Sequence, residues 1–154
     1  MADDSQLFPA SRIIPGPADL WHYPAYNLVA WQPKGVLDDL LLDEIGEWLC
    51  TVEKESPPFE RFVDLSRLTQ IAVRTDHVFE FARKRAEEVA GMTRVNSAIF
   101  SDDWISFGIA RLYEELMAGT PIDVRAFHDR AEAAAWLGVP VEILKLGDEP
   151  APAH

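Results

Sequence analysis

The chain lacks most of the devices that replace or supplement a hydrophobic core. A single cysteine, Cys50, stands among 154 residues, so no internal disulfide can form. Without histidines placed around it, that cysteine cannot anchor a structural zinc site either, which excludes disulfide scaffolds and zinc ribbons. No run approaches the roughly 18 consecutive apolar residues needed to cross a bilayer. The first ten residues, MADDSQLFPA, are acidic where a secretory signal is basic, which points to the cytoplasm. Bases are scarce: 14 Lys and Arg face 26 Asp and Glu, for a net charge of −12. Such a field opposes approach to nucleic acid or anionic lipid, so neither is an expected partner. The 8 glycines make no G-x-G-x-x-G, P-loop or G-x-S-x-G pattern after any strand-like run. Neither a nucleotide-phosphate cradle nor a nucleophile elbow has support, and no cofactor is expected.

What is present is a globular composition, 48% hydrophobic and 26% charged, at a length that suits one core. Residues 1–18 carry Pro9, Pro15, Gly16 and Pro17, and 147–154 read GDEPAPAH. Both ends are expected to be loose tails around a single domain at 19–146. Charge is uneven: residues 57–96 hold 6 acids and 7 bases, whereas 1–56 hold 10 and 3, and 97–154 hold 10 and 4.

Two β-rich runs, Leu20-Trp21-His22-Tyr23 and Leu28-Val29-Ala30-Trp31, flank a Pro/Asn turn and predict an N-terminal hairpin. From Leu37 the period changes, with Leu37, Leu41, Ile45, Trp48 and Val52 forming the stripe of an amphipathic helix that ends before Pro57. Phe62-Val63-Asp64-Leu65 suits a strand covered on both faces. Thr75 or Asp76 is expected to cap a second helix, with Val78, Ala82, Ala86 and Val89 inward and Gly91 at its end. Val95 to Phe100 reads as a strand. Ser101-Asp102-Asp103 places capping groups before a third helix whose core stripe is Ile105, Ile109, Leu112 and Leu116. Ile122 to Phe127 alternates like a strand. Asp129 with Glu132 resembles a capping box, and Gly138 with Pro140 stops the helix that follows. The order is ββαβαβαβα, and strands separated by one helix require crossover connections over a largely parallel sheet.

That order, together with F-x-R-F-V-D-L-S-R-L-T (59–69), S-A-I-F-S-D-D (97–103), F-G-I-A-R-L-Y-E-x-L-M (107–117) and V-R-A-F-H-D-R-A-E-A-A-A-W-L-G-V-P (124–140), resembles the bacterial SpoIIAA-like family of STAS type. The resemblance runs from about residue 20 to 140 and implies an α/β fold, a mixed sheet of about five strands with about four helices. It implies a regulatory role, since STAS relatives that antagonise anti-sigma factors bind a partner kinase. They are switched by phosphorylation of a Ser or Thr at a helix start after a central strand. Here strand 61–65 continues as Ser66-Arg67-Leu68-Thr69-Gln70, without the usual Asp-Ser-Ser-Gly-type element, so Ser66 and Thr69 are weak phosphorylation candidates.

Several chemically capable residues have plainer readings. Cys50 lies opposite its helix's apolar stripe, near carboxylates that would raise its pKa. His22, His77, His128 and His154 show no ligand spacing, and no metal is expected. Arg83-Lys84-Arg85 is set among Glu80, Glu87 and Glu88, with Glu80–Lys84, Arg83–Glu87 and Lys84–Glu88 each four apart, as on a solvated, salt-bridged face. Asp102 and Asp103 read as caps more readily than as an acid/base pair. Two features survive. The C-terminal strand ends, where ligands sit in open α/β sheets, gather Ser66, Arg67, Thr69, Ser101, Asp102, His128 and Asp129. The third helix carries Trp104 and Phe107 on a second apolar face with Arg111 between them, types enriched at protein anchors.

Three functions follow. The first is a non-enzymatic regulatory module that binds a protein partner or a second copy through the third helix and the strand-end loops. The second is a carrier or sensor of a small apolar ligand held in a cavity beneath the helices, rimmed by Arg67, Ser101 and His128. The third is an enzyme using Asp64, Asp102 or His128, which would need those groups to converge.

Overall fold

A computed structural model describes residues 18–146. The tails expected at 1–18 and 147–154 lie outside the described residues, as does His154, except that Ala18 opens the first strand. Strand β1 (Ala18–Tyr23) and β2 (Leu28–Pro33) form the N-terminal hairpin, antiparallel with Leu20 opposite Trp31. A 3-10 turn over Pro24–Tyr26 joins them, closed by Asn27 at φ 51°, a left-handed conformation that Asn tolerates better than most residues. After β2 come β3 (Gly35–Asp38), α1 (Asp39–Glu55), β4 (Glu60–Asp64), β5 (Leu68–Ala72) and α2 (Thr75–Glu88). The chain continues as β6 (Val95–Phe100), α3 (Trp104–Leu116), β7 (Ile122–Phe127) and α4 (Arg130–Leu137), then a 3-10 turn at Val141–Leu144.

The main sheet has five strands in the order β1-β2-β4-β6-β7, with every pair after the hairpin parallel. Each crossover steps one place in the same direction, so connections of one hand lay their helices on one face. The packing agrees. Val29, Trp31, Val63, Ile99 and Val124 pack on the face of α1–α3, while Leu28, Ala30, Phe62, Ala98 and Phe100 pack with Ala133 and Ala134 of α4 on the other. Alternation along each strand decides which side chain goes where.

The expected stripe of α1 is buried throughout, and Asp38 caps the helix by accepting from the Leu41 amide at 2.8 Å. Asp103 caps α3 through the Ser106 amide and Asp129 caps α4 through the Ala131 amide, as their sequence positions suggest. Gly138 ends α4 at φ 75°, where a Cβ would be strained.

Four expectations are corrected. First, β3 and β5 form a separate two-stranded parallel sheet, so Leu37 is a strand residue and Thr69 belongs to β5 rather than to a loop. Second, α2 has Arg74 at its N-cap with no side-chain cap; Thr75 and Asp76 are already helical. Third, Ile105 is exposed, and the helix presses Ser106, Ala110 and, at its C-cap, Met117 inward instead. Fourth, Arg85 is buried, although Arg83 does pair with Glu87 on the solvated face as expected.

Candidate functional site

Two groups of polar and aromatic side chains lie at opposite ends of the parallel strands. At the C-terminal end, Asp64 is wholly buried as the last residue of β4. Its Oδ2 accepts from Gln32 Nε2 at 3.0 Å and from Arg130 Nη2 at 3.1 Å, and its Oδ1 accepts from the Ser66 amide at 2.8 Å. Gln32 also donates to the Leu146 carbonyl, and Arg130 lies over the Phe100 ring. These bonds tie β2, β4, α4 and the chain's last described residue into one knot, which satisfies a carboxylate that burial would otherwise penalise heavily.

Beside this knot the structure brings together Ser101, Trp104, Phe107 and His128. The Phe107 and His128 rings stack at 3.6 Å, and Trp104 meets both edge-on. His128 Nδ1 donates to the Ser101 carbonyl at 3.2 Å. Buried Ser101 bonds through its hydroxyl to the Asp103 backbone. Trp104 and Ile105 remain 77% and 72% exposed, an apolar pair at the start of α3. Arg67 and Asp102 are exposed at the ends of β4 and β6, and Arg111 pairs with Glu114 at 3.0 Å. Neither Ser66 nor Thr69 stands at a helix start, because β4 is followed by a turn and by β5.

The second group occupies the other end of the strands, on the face of α1–α3. Glu53 of α1, Arg61 of β4 and Arg85 of α2 have side chains only 4%, 2% and 2% exposed. Glu53 Oε2 accepts from Arg61 Nη1 and from Arg85 Nη2, both at 2.6 Å, while its Oε1 accepts from Arg85 Nη1 at 3.0 Å. Arg85 also reaches Glu88, one turn on. Burial alone would raise the Glu53 pKa, but the hydrogen bonds and charge of Arg85 and then Arg61 outweigh it and hold the carboxyl below its ordinary range. Burial pushes the Tyr113 phenol upward, against the charge and hydrogen bond of Arg85 and the charge of Arg61.

Next to this ion cluster, between the sheet and α1–α3, lies a cavity of about 110 Å³. Its walls are largely apolar, with Trp31, Leu49, Val63, Phe81 and Ile109 among them, and Arg61, Arg85, Ser97 and Tyr113 supply polar groups. No lining residue is exposed. Ser97 pairs with Arg61 across β6 and β4, and both Ser97 and Ala110 of α3 line the cavity. Arg67, Ser101 and His128, expected on the rim, do not line it.

The sequence reading missed Glu53, Arg61, Arg85 and Tyr113. The available signal was positional: Arg85 falls on the stripe of Val78, Ala82 and Val89, and Arg61 precedes a strand expected to be covered on both faces. Among the described residues no group of three or more His, Cys, Asp or Glu could hold a metal ion, and no helix is long and apolar enough to cross a membrane.

The fold resembles that of a crystal structure of an uncharacterised protein of the DUF3478 family, with a SpoIIAA-like fold, from Shewanella loihica PV-4. That structure superposes at a TM-score of 0.51 with 15% identity, covering 78% of this chain and 93% of the other. The chain has the SpoIIAA-like fold. At this identity the likeness concerns the SpoIIAA-like architecture alone. No family model matches the sequence, and no curated protein does.

Proposed function

We propose that the protein is a non-catalytic carrier or sensor that takes a small apolar molecule between its SpoIIAA-like sheet and helices α1–α3. The observation that carries this reading is the cavity of about 110 Å³ walled by the core itself. Close-packed interiors contain few voids larger than a water molecule, and an engineered apolar cavity of about 150 Å³ stays dry and binds benzene or xenon. Xenon therefore serves as a ligand of no particular chemistry. Under xenon pressure, the methyl resonances of Leu49, Val63 and Ile109 should shift in a saturable way. Filling the space with Ala110→Leu should abolish the response while the fold persists. Shifts that are absent, or unchanged by the substitution, would refute the reading.

A second reading, docking of a protein partner or a second copy, is favoured by the exposed pair Trp104 and Ile105 beside the Phe107–His128 stack. Trp is among the commonest anchors of interfaces. The two readings meet in α3, whose Ile109, Ala110 and Tyr113 line the cavity while its first turn presents the exposed pair. If the surface mediates self-association, light scattering at high micromolar concentration should report dimers that Trp104→Glu with Ile105→Glu returns to monomers. A monomeric wild type removes the second copy as an occupant.

A further inference from the structure

On the ligand-binding reading above, we propose that the cavity's occupant is a small monocarboxylic acid, its carboxylate held by Arg61 and Arg85 and its hydrocarbon body by the apolar walls. The ion cluster has a donor left over. Arg61 spends Nε on the Phe59 carbonyl and Nη1 on Glu53, and its Nη2 is buried with no hydrogen-bond partner. Arg85 spends both terminal nitrogens on Glu53 and Glu88 and interacts with the Tyr113 hydroxyl as well, so the donor left over in the cluster is Arg61 Nη2. Both residues line the cavity. A buried donor without an acceptor carries the full cost of its desolvation, and guanidinium donors carry more than neutral ones.

Charge points the same way as hydrogen bonding. The fully enclosed members of the cluster are two cations, Arg61 and Arg85, against one carboxylate, Glu53. Glu88, which also binds Arg85, sits at the rim with its side chain 17% exposed, where solvent screens it. Glu60 is partly buried and accepts from the Asn96 amide. One further negative charge therefore balances the enclosed set, whereas a dianion such as phosphate would face Glu53 with excess charge. A carboxylate also offers two coplanar oxygens, the geometry guanidinium forks bind best. Tyr113 and Ser97 add hydroxyl donors to the same lining. The volume, below the ~150 Å³ that admits benzene, limits the body to about four or five carbons.

Calorimetric titration with isovalerate and with its neutral isostere isovaleramide tests the assignment, alongside the xenon response. The acid should bind at least about tenfold more tightly than the amide, as expected where one partner of a hydrogen bond gains a full charge. Arg61→Lys keeps a cation opposite Glu53 but removes Nη2. It should bring the preference for the acid close to one while leaving the xenon shifts in place. A normal xenon response with equal affinities, or with no binding of isovalerate, overturns the acid and leaves the apolar carrier standing. An absent xenon response overturns both. A preference that survives in Arg61→Lys contradicts the role given to Arg61. Should that variant not fold, the acid-to-amide ratio of the wild type decides by itself.

Discussion

Glu53 is the residue on which the interior charges depend, since among the described residues it is the carboxylate that bonds to both Arg61 and Arg85. A buried ion pair costs a large desolvation, and removing one partner leaves that cost uncompensated. Glu53→Gln should therefore lower the unfolding free energy by about 3–5 kcal/mol in urea titration. A loss within about 0.5 kcal/mol, ordinary for surface substitutions, would contradict the burial. The pH dependence has a definite sign. Because the folded Glu53 pKa lies below its unfolded value, its contribution is complete above the ordinary carboxylate range and is lost as pH falls through the folded pKa. Stability of the wild type should fall on acidification through that window, and Glu53→Gln should flatten the slope. These residues were partly legible in the sequence. Arg85 sits between Ala82 and Val89 on the inward stripe, but the glutamates at four-residue steps around the basic run gave an equally good surface account. Only the tertiary placement of Glu53, 32 residues away from Arg85, separates the two.

At the level of elements, α1 and α2 are joined by close contact inside and by charge outside. Gly46 of α1 lies against Phe81 of α2 so closely that an added Cβ would meet the ring at 2.6 Å. Gly46→Ala gains up to about 1 kcal/mol of helix propensity. Displacing the ring offsets that gain, since overpacking costs about 1–3 kcal/mol. We expect a net destabilisation of about 1 kcal/mol by thermal unfolding, with Phe81, a wall of the cavity, pushed into it and the xenon response reduced. A stabilised variant with an unchanged response would contradict this packing.

On the outer side, His77 donates to Asp43 at 2.8 Å, and Arg74 pairs with Asp39 at 2.7 Å. The hydrogen bond to Asp43 raises the His77 pKa above its ordinary value against a small loss from burial. A raised pKa gives stability that is present below the unfolded pKa and disappears as pH rises through the folded one. Stability should therefore fall slightly as pH rises above the ordinary histidine range, by under about 1 kcal/mol for so accessible a pair. His77→Gln should erase the drop, and a drop retained in that variant would assign it elsewhere. The element order was largely legible, because helices and the central strands announce themselves by local period. The pairing of β3 with β5 was not: it joins two short segments across α1 and β4, and no local pattern encodes it. The first position of the α3 stripe, Ile105, was misread for a related reason, whereas Ile109 and Leu116 do face the core. Tight packing on the sheet favours the small side chains Ser106 and Ala110, while a hydrophobicity pattern selects the larger Ile105.

For the whole molecule, the SpoIIAA-like fold places three helices on one face of the sheet, and a cavity lies between them and the strands. A void of this kind belongs to no single residue, which is why the sequence could suggest a cavity beneath the helices but located its rim at the wrong end of the strands. The rim was sought at the C-terminal ends because polar turn residues gather there, whereas the interior charges enter from the opposite end. The strand-end groups are held by each other: Asp64 by Gln32 and Arg130, His128 by Ser101 and Phe107. The most direct test of the account is a crystal structure of the protein under xenon pressure. The account predicts an anomalous peak between β4, β6 and α3, within contact of Val63, Ile99 and Ala110. A well-ordered core with no peak there, or with Phe81 or Tyr113 filling the space, would contradict it.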